Sequence, residues 1–277
     1  YDILVIATGS RMVPEETPGM TEGAEFFYTE ASAVKMYKKL REFKGGRVMV
    51  AVGVPHKCPI APVEVMFALD DFFKARGIRD KVQLKYHYPI GRLHTIENVA
   101  KWAKPEFERI GVDTETLFNI KEIDAKNKVM KSEEGTEVEY DLLIVVPAHR
   151  GMEVIERDNL GSGGWIPTDR YSLKMNGHDN VYVVGDTTNL PVSKTGSAAH
   201  FQAEAICENI ASIIKIGEPV RDYDGKVYCF IEAGHEKATY AMFNYLNPPD
   251  LKPPSKPMHW FKLSYNHMYW TSVRGLL

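Results

Sequence analysis

Cys58 lies in the run Val52-Gly53-Val54-Pro55-His56-Lys57-Cys58-Pro59-Ile60-Ala61-Pro62-Val63-Glu64, between an apolar stretch at 47–52 and a helix-forming stretch that begins near Pro62. A thiol beside a lysine, just ahead of a helix N-terminus where unpaired backbone N–H groups gather, is expected to ionise readily and act as a nucleophile. Glu64, six positions on, is placed either to complement the helix dipole or to shuttle protons to that thiol. A second pattern is Val181-Tyr182-Val183-Val184-Gly185-Asp186, a strand that closes in Gly-Asp ahead of a connector and a long helix. A carboxylate at the carboxyl end of a strand can accept hydrogen bonds from sugar-like hydroxyls. The glycine admits close backbone approach, and the following helix N-terminus favours negative charge. Gly-Asp alone is a common turn; Ala7-Thr8-Gly9 after the strand at 2–7 makes the pair specific. Of the other thiols, Cys207 shares helical spacing with Ala203, Ile206, Ile210 and Ile214 and is expected to pack in the core. Cys229 lies in a short strand after the turn Tyr223-Asp224-Gly225, where packing in a half-buried strand is its plain alternative.

The three cysteines, at 58, 207 and 229, form neither a CxxC nor a zinc-finger spacing, so no metal site and no disulfide scaffold is expected. With 277 residues, 44% apolar and 26% charged, the chain is long enough for two packed units with a real core. Thirty-four basic against thirty-seven acidic residues, with no basic stripe, gives no footprint for nucleic acid. No stretch approaches eighteen uninterrupted apolar residues. The chain opens on Tyr1 directly into a strand, which suggests a piece of something longer.

Alternating strand-like and helix-like segments over 1–216 predict an α/β fold with parallel strands. Helices are expected at 29–43, capped by Thr29, at 62–76, at 96–109 and at 197–216. Strands are expected at 47–52, 83–88, 112–116, 140–146 and 181–184, with an edge hairpin across 128–139. Past Gly217 the pattern changes to hairpin-like segments, a proline-rich turn at 248–257 and an aromatic tail. The opening Tyr1-Asp2-Ile3-Leu4-Val5-Ile6-Ala7-Thr8-Gly9 is echoed by Tyr140-Asp141-Leu142-Leu143-Ile144-Val145-Val146-Pro147-Ala148. Two dinucleotide-type domains that each close on such a strand would produce the echo, as would chance likeness of two buried strands.

Ala7-Thr8-Gly9 and Gly185-Asp186 resemble the crossover and flavin motifs of the flavoprotein disulfide-reductase superfamily, in which an FAD-binding Rossmann-like domain is interrupted by a second dinucleotide-like domain. The resemblance implies that Asp186 binds the ribityl chain of FAD. It also implies an organisation of 1–44 and 149–216 as parts of the FAD domain, 45–148 as the second domain and 217–277 as a C-terminal hairpin and membrane segment. A nicotinamide-using second domain needs G-x-G-x-x-G after the strand at 47–52. One glycine, three prolines, a lysine and a cysteine stand there instead, so nicotinamide is not the expected electron donor. Lys57-Cys58-Pro59-Ile60-Ala61-Pro62-Val63-Glu64, Leu190-Pro191-Val192-Ser193-Lys194-Thr195-Gly196 and Tyr223-Asp224-Gly225 with Cys229 resemble the sulfide:quinone oxidoreductase family over nearly the whole chain. The resemblance implies FAD as cofactor and sulfide and quinone as partners, with Cys58 and Cys229 facing each other across the flavin. It further implies that Lys194, Thr195 and Gly196 contact the flavin, the last two at its pyrimidine edge. Two departures stand out. No third cysteine follows the Ala-Thr-Gly crossover, where Phe26-Phe27-Tyr28-Thr29 lies, and the histidine often found after the third strand of the second domain is represented only by His94.

The tail from Met258 to Leu277 mixes Trp260, Phe261, Tyr265, Tyr269 and Trp270 with His259, Lys262, His267 and Arg274. Such a mixture suits a helix lying in a membrane interface, the expected peripheral location; a dimer contact or packing on the core is the alternative. Phe230, Lys262 and His267 are the candidate quinone contacts. Alternative activities are a sulfide dehydrogenase flavoprotein that passes electrons to a cytochrome c and a type II NADH:quinone oxidoreductase, and an inert fragment is the non-enzymatic alternative.

Overall fold

The computed structural model describes residues 1–274; the end of the expected tail, 275–277, lies outside the described residues. Strands β1 (Leu4–Ile6) and β2 (Ser10–Met12) are followed by a single-turn helix α1 (Met20–Gly23) and by α2 (Glu30–Glu42). Thr29 caps α2 as expected, in a reciprocal capping box with Ser32. The next segment runs β3 (Gly46–Val52), α3 (Ala61–Ala75), β4 (Val82–Tyr88), α4 (Glu97–Arg109) and β5 (Val112–Thr116). Strands β6 (Ile120–Asp124), β7 (Val129–Ser132) and β8 (Glu137–Glu139) come next, then β9 (Leu142–Val146). Strand β10 (His149–Gly151), α5 (Glu153–Arg157), β11 (Val181–Val183) and α6 (Gly196–Ile216) lead to the hairpin β12 (Val227–Glu232) and β13 (Ala238–Phe243). Helices α7 (Lys256–His267) and α8 (Tyr269–Val273) complete the described chain.

The central sheet is parallel in the order β5-β4-β3-β9. Strands β3, from Val48 on, and β9 read as continuous apolar runs because both of their faces are covered. Val48, Val50 and Val52 of β3 pack with Val63, Phe67 and Phe73 of α3 and with Phe107 of α4. The alternate residues Met49 and Ala51, with Leu143 and Val145 of β9, face Met20, Ile123 and Met130. The hairpin expected at a sheet edge therefore lies elsewhere. With β6 it makes a separate antiparallel sheet that covers a face, because Met130 and Ile123 supply an apolar side that must be buried.

Strand β1 pairs with β11 in parallel, and Tyr182, Leu190, Ala205 and Ile206 form a core between that pair and α6. The echoed segments become β1 and β9, and the chain that follows each continues into β2 and β10. These two pair antiparallel, Ser10 opposite Gly151 and Met12 opposite His149, so the two crossovers run side by side. The helical spacing around Cys207 is misleading: this thiol is exposed. The buried stripe of α6 carries Ala198, Gln202, Ala205, Ile206 and Asn209 instead. Gln202 accepts the Gly185 N–H at 2.7 Å and Asn209 satisfies Val220, Arg221 and the Arg221 carbonyl, so two amides occupy the face that hydropathy assigns to apolar residues.

Asp70 is buried on α3 and bonded to Arg79 at 2.7 Å and Lys74 at 2.7 Å. The same guanidinium donates to the carbonyls of Val82, Ile110 and Gly111, joining the ends of β4 and α4. Arg79→Met should cost about 3 kcal/mol in urea denaturation, because it leaves a buried carboxylate short of its main partner; a loss below about 0.5 kcal/mol would contradict this account of the corner.

Three further buried groups make stability depend on pH. His87, His94 and His149 are each pushed down from 6.5 to about 4, chiefly by burial, so all three fold as neutral imidazoles. A depressed basic group contributes its stability above its unfolded pKa and loses it as pH falls from about 6.5 towards about 4. Between about pH 7.5 and 5.5 each should lose about 1 kcal/mol. A urea midpoint unchanged over that interval would show that these rings titrate alike in the folded and unfolded chain.

Candidate active site

Strands β1 and β11 end side by side, and the chain leaves each through a turn at positive φ, Gly9 at 75° and Gly185 at 79°, where a side chain would be strained. The turns are joined: the Thr8 hydroxyl donates to Thr187 Oγ1 at 2.9 Å and the Ser10 hydroxyl to Asp186 Oδ2 at 3.1 Å. Lys194 Nζ donates to the carbonyls of Asp186, at 3.0 Å, and Thr188, at 2.5 Å, and lies 4.2 Å from the Trp165 ring centre. Burial pushes this amine down to about 8. Thr195 caps α6 through the Ala198 N–H, and beside the next residue, Gly196, a side-chain carbon would meet no atom within 4 Å. The parallel pair thus brings Ala7, Thr8, Gly9, Gly185, Asp186, Lys194, Thr195 and Gly196 into one crevice. An open approach to a helix N-terminus with a carboxylate beside it suits a polyhydroxylated, electron-accepting ring system, so these residues fit a flavin.

Lys57 belongs to this crevice rather than to the thiol. Its Nζ is 3.5 Å from Asp186 Oδ2. Cys58, at φ 44°, is anchored by its backbone: its N–H donates to the Lys194 carbonyl at 2.9 Å, and its carbonyl accepts from Ala61 N at 3.0 Å. The Tyr28 hydroxyl is shared between the carbonyls of Lys57 and Cys58, at 3.0 and 3.1 Å.

The first turn of α3 has only the Ala61 N–H to offer the thiol, whose pKa that one bond lowers. Ala61 N–H bonds to Cys58, Val63 and Glu64 both bond to the Ile60 carbonyl, and Pro62 has no N–H. The expected easy ionisation of Cys58 is therefore overturned: burial pushes the thiol up to about 12, with the charges of Cys229 and Glu64 adding to the rise. The same consumption of donors leaves no cradle for a pyrophosphate at this helix.

Cys229 lies on β12 with its side chain on the face that also carries Ile231 into the central core. Burial and the Glu64 charge push it up to about 11, while the hydroxyls of Thr195 and Ser197 beside it pull the other way. Ser197 Oγ also accepts the Tyr228 N–H at 3.2 Å. Cys58 and Cys229 are free thiols, and a charge on Cys229 raises the pKa of Cys58. A small apolar cavity bounded by Pro59, His94, Ser193, Thr195, Cys229 and Phe243 adjoins a cleft of about 720 Å³ that shares Pro59, Ile96, Ser193 and Phe243.

Glu64 reaches from α3 across β12 to α7. Its Oε1 accepts the Glu232 N–H at 2.8 Å and Lys262 Nζ at 2.5 Å, and burial raises its pKa against these two partners. Lys262 is thus engaged by Glu64, and by Glu232 at 3.8 Å, rather than presented to a quinone. Phe230 packs on Phe261 and Tyr265 at 5.6 and 5.8 Å, whereas His267 is exposed at the end of α7. Tyr28, Ser197, Glu232 and His259 were not legible as site residues; nothing in their local sequence marks them, since each enters through packing of distant elements.

Residues 1–205 match the family model described as pyridine nucleotide-disulphide oxidoreductase. The chain is 30% identical over 260 residues to a protein of Dictyostelium discoideum named mitochondrial sulfide:quinone oxidoreductase, an alignment covering 88% of this chain and 57% of that one. It therefore spans little more than half the length of that relative. Among solved structures, the sulfide:quinone oxidoreductase of Aquifex aeolicus superposes with a TM-score of 0.83 at 23% identity, over 98% of this chain and 69% of that one. The Plasmodium falciparum NDH2 complex with NADH gives 0.70 at 14% identity, over 99% and 73%. At those identities the structures speak for the fold, which both share. The family match, extending from the β1 crossover into α6 and so through the flavin-type crevice and the Cys58 loop, decides the assignment: the chain belongs to the pyridine nucleotide-disulphide oxidoreductase family.

Proposed function

We propose that the chain forms the sulfur- and quinone-handling part of an FAD-dependent sulfide:quinone oxidoreductase, with Cys58 and Cys229 as its redox-active pair. The observation that carries this reading is the convergence of two thiols, from a loop of the central domain and from a C-terminal hairpin, on the Lys194–Ser197 connector that borders the flavin crevice. The name of the Dictyostelium relative supports the same substrates.

Hydrosulfide attacks one sulfur of the oxidised pair. The Cys58–Cys229 bond breaks, a new sulfur–sulfur bond forms, and one cysteine is left as persulfide and the other as thiolate. FAD, when bound, supplies a two-electron acceptor that passes the pair to quinone. The overall balance is hydrosulfide plus quinone plus one proton giving cysteine-bound sulfane sulfur and quinol. Asp186 and Lys57 hold opposite charges at the crevice, Lys194 fixes the 186–188 turn, and the Gly196 N-terminus of α6 favours negative charge beside it. Glu64 is the carboxylate whose charge acts on both thiols. Because burial keeps each thiol protonated near neutrality, Glu64 receives the proton whenever one ionises.

A membrane surface is the proposed source of quinone. Trp260, Phe261, Tyr265, Tyr269 and Trp270 are all exposed on α7 and α8, an arrangement suited to peripheral binding at an interface. Among the described residues no helix is long and apolar enough to cross a membrane. The spent amides at the start of α3 weigh against the NADH-dependent alternative.

Sulfide-dependent reduction of decylubiquinone by the full-length protein tests the reading. Cys58→Ala and Cys229→Ala should each reduce turnover to background. Glu64→Gln should slow it by about 10²–10⁴-fold, and Cys207→Ser, on the exposed side of α6, should leave it unchanged. Retention of the wild-type rate in either alanine variant would rule out the cysteine pair.

A further inference from the structure

Glu64 does not end the line of titratable groups that begins at the thiols. Lys262 Nζ lies 2.5 Å from Glu64 Oε1 and 3.8 Å from Glu232 Oε1, and His259 Nδ1 lies 3.1 and 3.0 Å from the two Glu232 oxygens. These side chains come from α3, β12 and α7, so no single element imposes their alignment. All four are partly covered to a similar degree, with 22% of the Glu64 side chain, 18% of Lys262, 26% of Glu232 and 18% of His259 exposed, and His259 lies on the helix whose next two residues, Trp260 and Phe261, are exposed.

Resting on the sulfide–quinone reading, we infer that Glu64, Lys262, Glu232 and His259 form a proton path between the buried cysteine pair and the solvent-facing side of α7. The groups facing Glu64 are Cys58 from the loop before α3, Cys229 and Glu232 from β12, Tyr28 from the segment before α2, and Lys262 from α7. Those facing Glu232 are Glu64, Lys262 and His259. Tyr28 is excluded as a carrier, since burial holds its hydroxyl far above the ordinary tyrosine range and it is occupied by two carbonyls.

The step is a pure proton transfer in which no electron moves. A thiol S–H bond breaks and a Glu64 O–H bond forms. The Lys262 ammonium gives one proton to Glu232 and recovers one from Glu64. Glu232 passes its proton to one imidazole nitrogen of His259, and the other nitrogen releases a proton to water. The reverse sequence supplies a proton inward. Lysine can serve this way because its ammonium lies between two carboxylates, one of which accepts as the other donates. Glu232 and His259 are positioning and relay residues, since neither touches the sulfur atoms.

The test uses the full-length holoenzyme, reduced and then jumped to alkaline pH in a stopped-flow cell, with thiolate ultraviolet absorbance as readout. Cys58→Ser and Cys229→Ser identify the part of the signal that belongs to the pair. His259→Gly and Glu232→Gln should slow thiolate appearance by about tenfold or more without changing its final amplitude. Added imidazole should restore the rate in His259→Gly only. An unchanged rate in both variants overturns the path, as does slowing in both that comes with altered amplitude and is not relieved by imidazole, the result expected of a merely structural clamp. Sulfide-dependent quinone reduction is measured on the same preparations. Its absence in the wild-type protein would refute the sulfide–quinone reading, while the pH jump would still decide whether protons reach the thiols this way.

Discussion

Cys58 and Cys229 are held to the same stretch of chain because the connector that caps α6 is bonded to both of the segments that carry them. The Lys194 carbonyl takes the Cys58 N–H, and the Ser197 hydroxyl takes the Tyr228 N–H one residue before Cys229. The connector is itself fixed from the other side, where Lys194 spans the 186–188 carbonyls and Thr195 caps the helix. Five hydrogen bonds therefore transmit the geometry of the β1–β11 pair to two thiols that belong to other parts of the fold. Individually each contributes about 1 kcal/mol. Their joint effect is positional: moving the connector would displace both sulfurs together relative to the crevice.

Desolvation, rather than the helix dipole, sets the chemistry of those thiols. A dipole at a helix terminus contributes about 0.3–1 kcal/mol and falls off within the first turn, and here the Ala61 N–H is the single first-turn donor that favours the Cys58 thiolate, too little to offset burial. Burial acts on both sulfurs and on Glu64 in the same sense, towards the neutral form. Lysine 262 is the cation that opposes it at Glu64, and its placement on α7 makes the state of the buried carboxylate depend on a helix that also presents the aromatic surface.

The parallel strands were legible because a strand covered on both faces must be apolar throughout, as at 47–52 and 142–146. The turn residues Gly9 and Gly185 and the Cys58 run were legible as motifs, since their chemistry is local. The position of the 128–139 hairpin was not: alternation reveals that one side is buried without saying against what. Cys207 shows a related limit. Helical spacing identifies a stripe, but two stripes competed on α6, and the buried one contains Gln202 and Asn209, each of which bonds backbone groups of a neighbouring segment. The Glu232–His259 pair was beyond reach for a different reason, because it joins a strand to a helix across a connection that sequence does not constrain.

Strand alternation on β12 carries the last consequence. Successive side chains point to opposite faces, so Cys229 and Ile231 turn towards the central core while Tyr228, Phe230 and Glu232 turn towards α7. The strand is thus a partition, with sulfur on one side and an aromatic cluster of Phe230, Phe261 and Tyr265 on the other. On the proposed function, a partition one strand thick would keep two reactants apart near a common redox centre, but it would also block protons, which cannot cross an apolar layer unaided. Glu64 answers that constraint by bonding the strand's own backbone at Glu232 and the lysine beyond it. One carboxylate oxygen touches both the strand's backbone and the lysine beyond it, so on the proposed function the separation of substrates and the continuity of the inferred proton path would meet at the same residue.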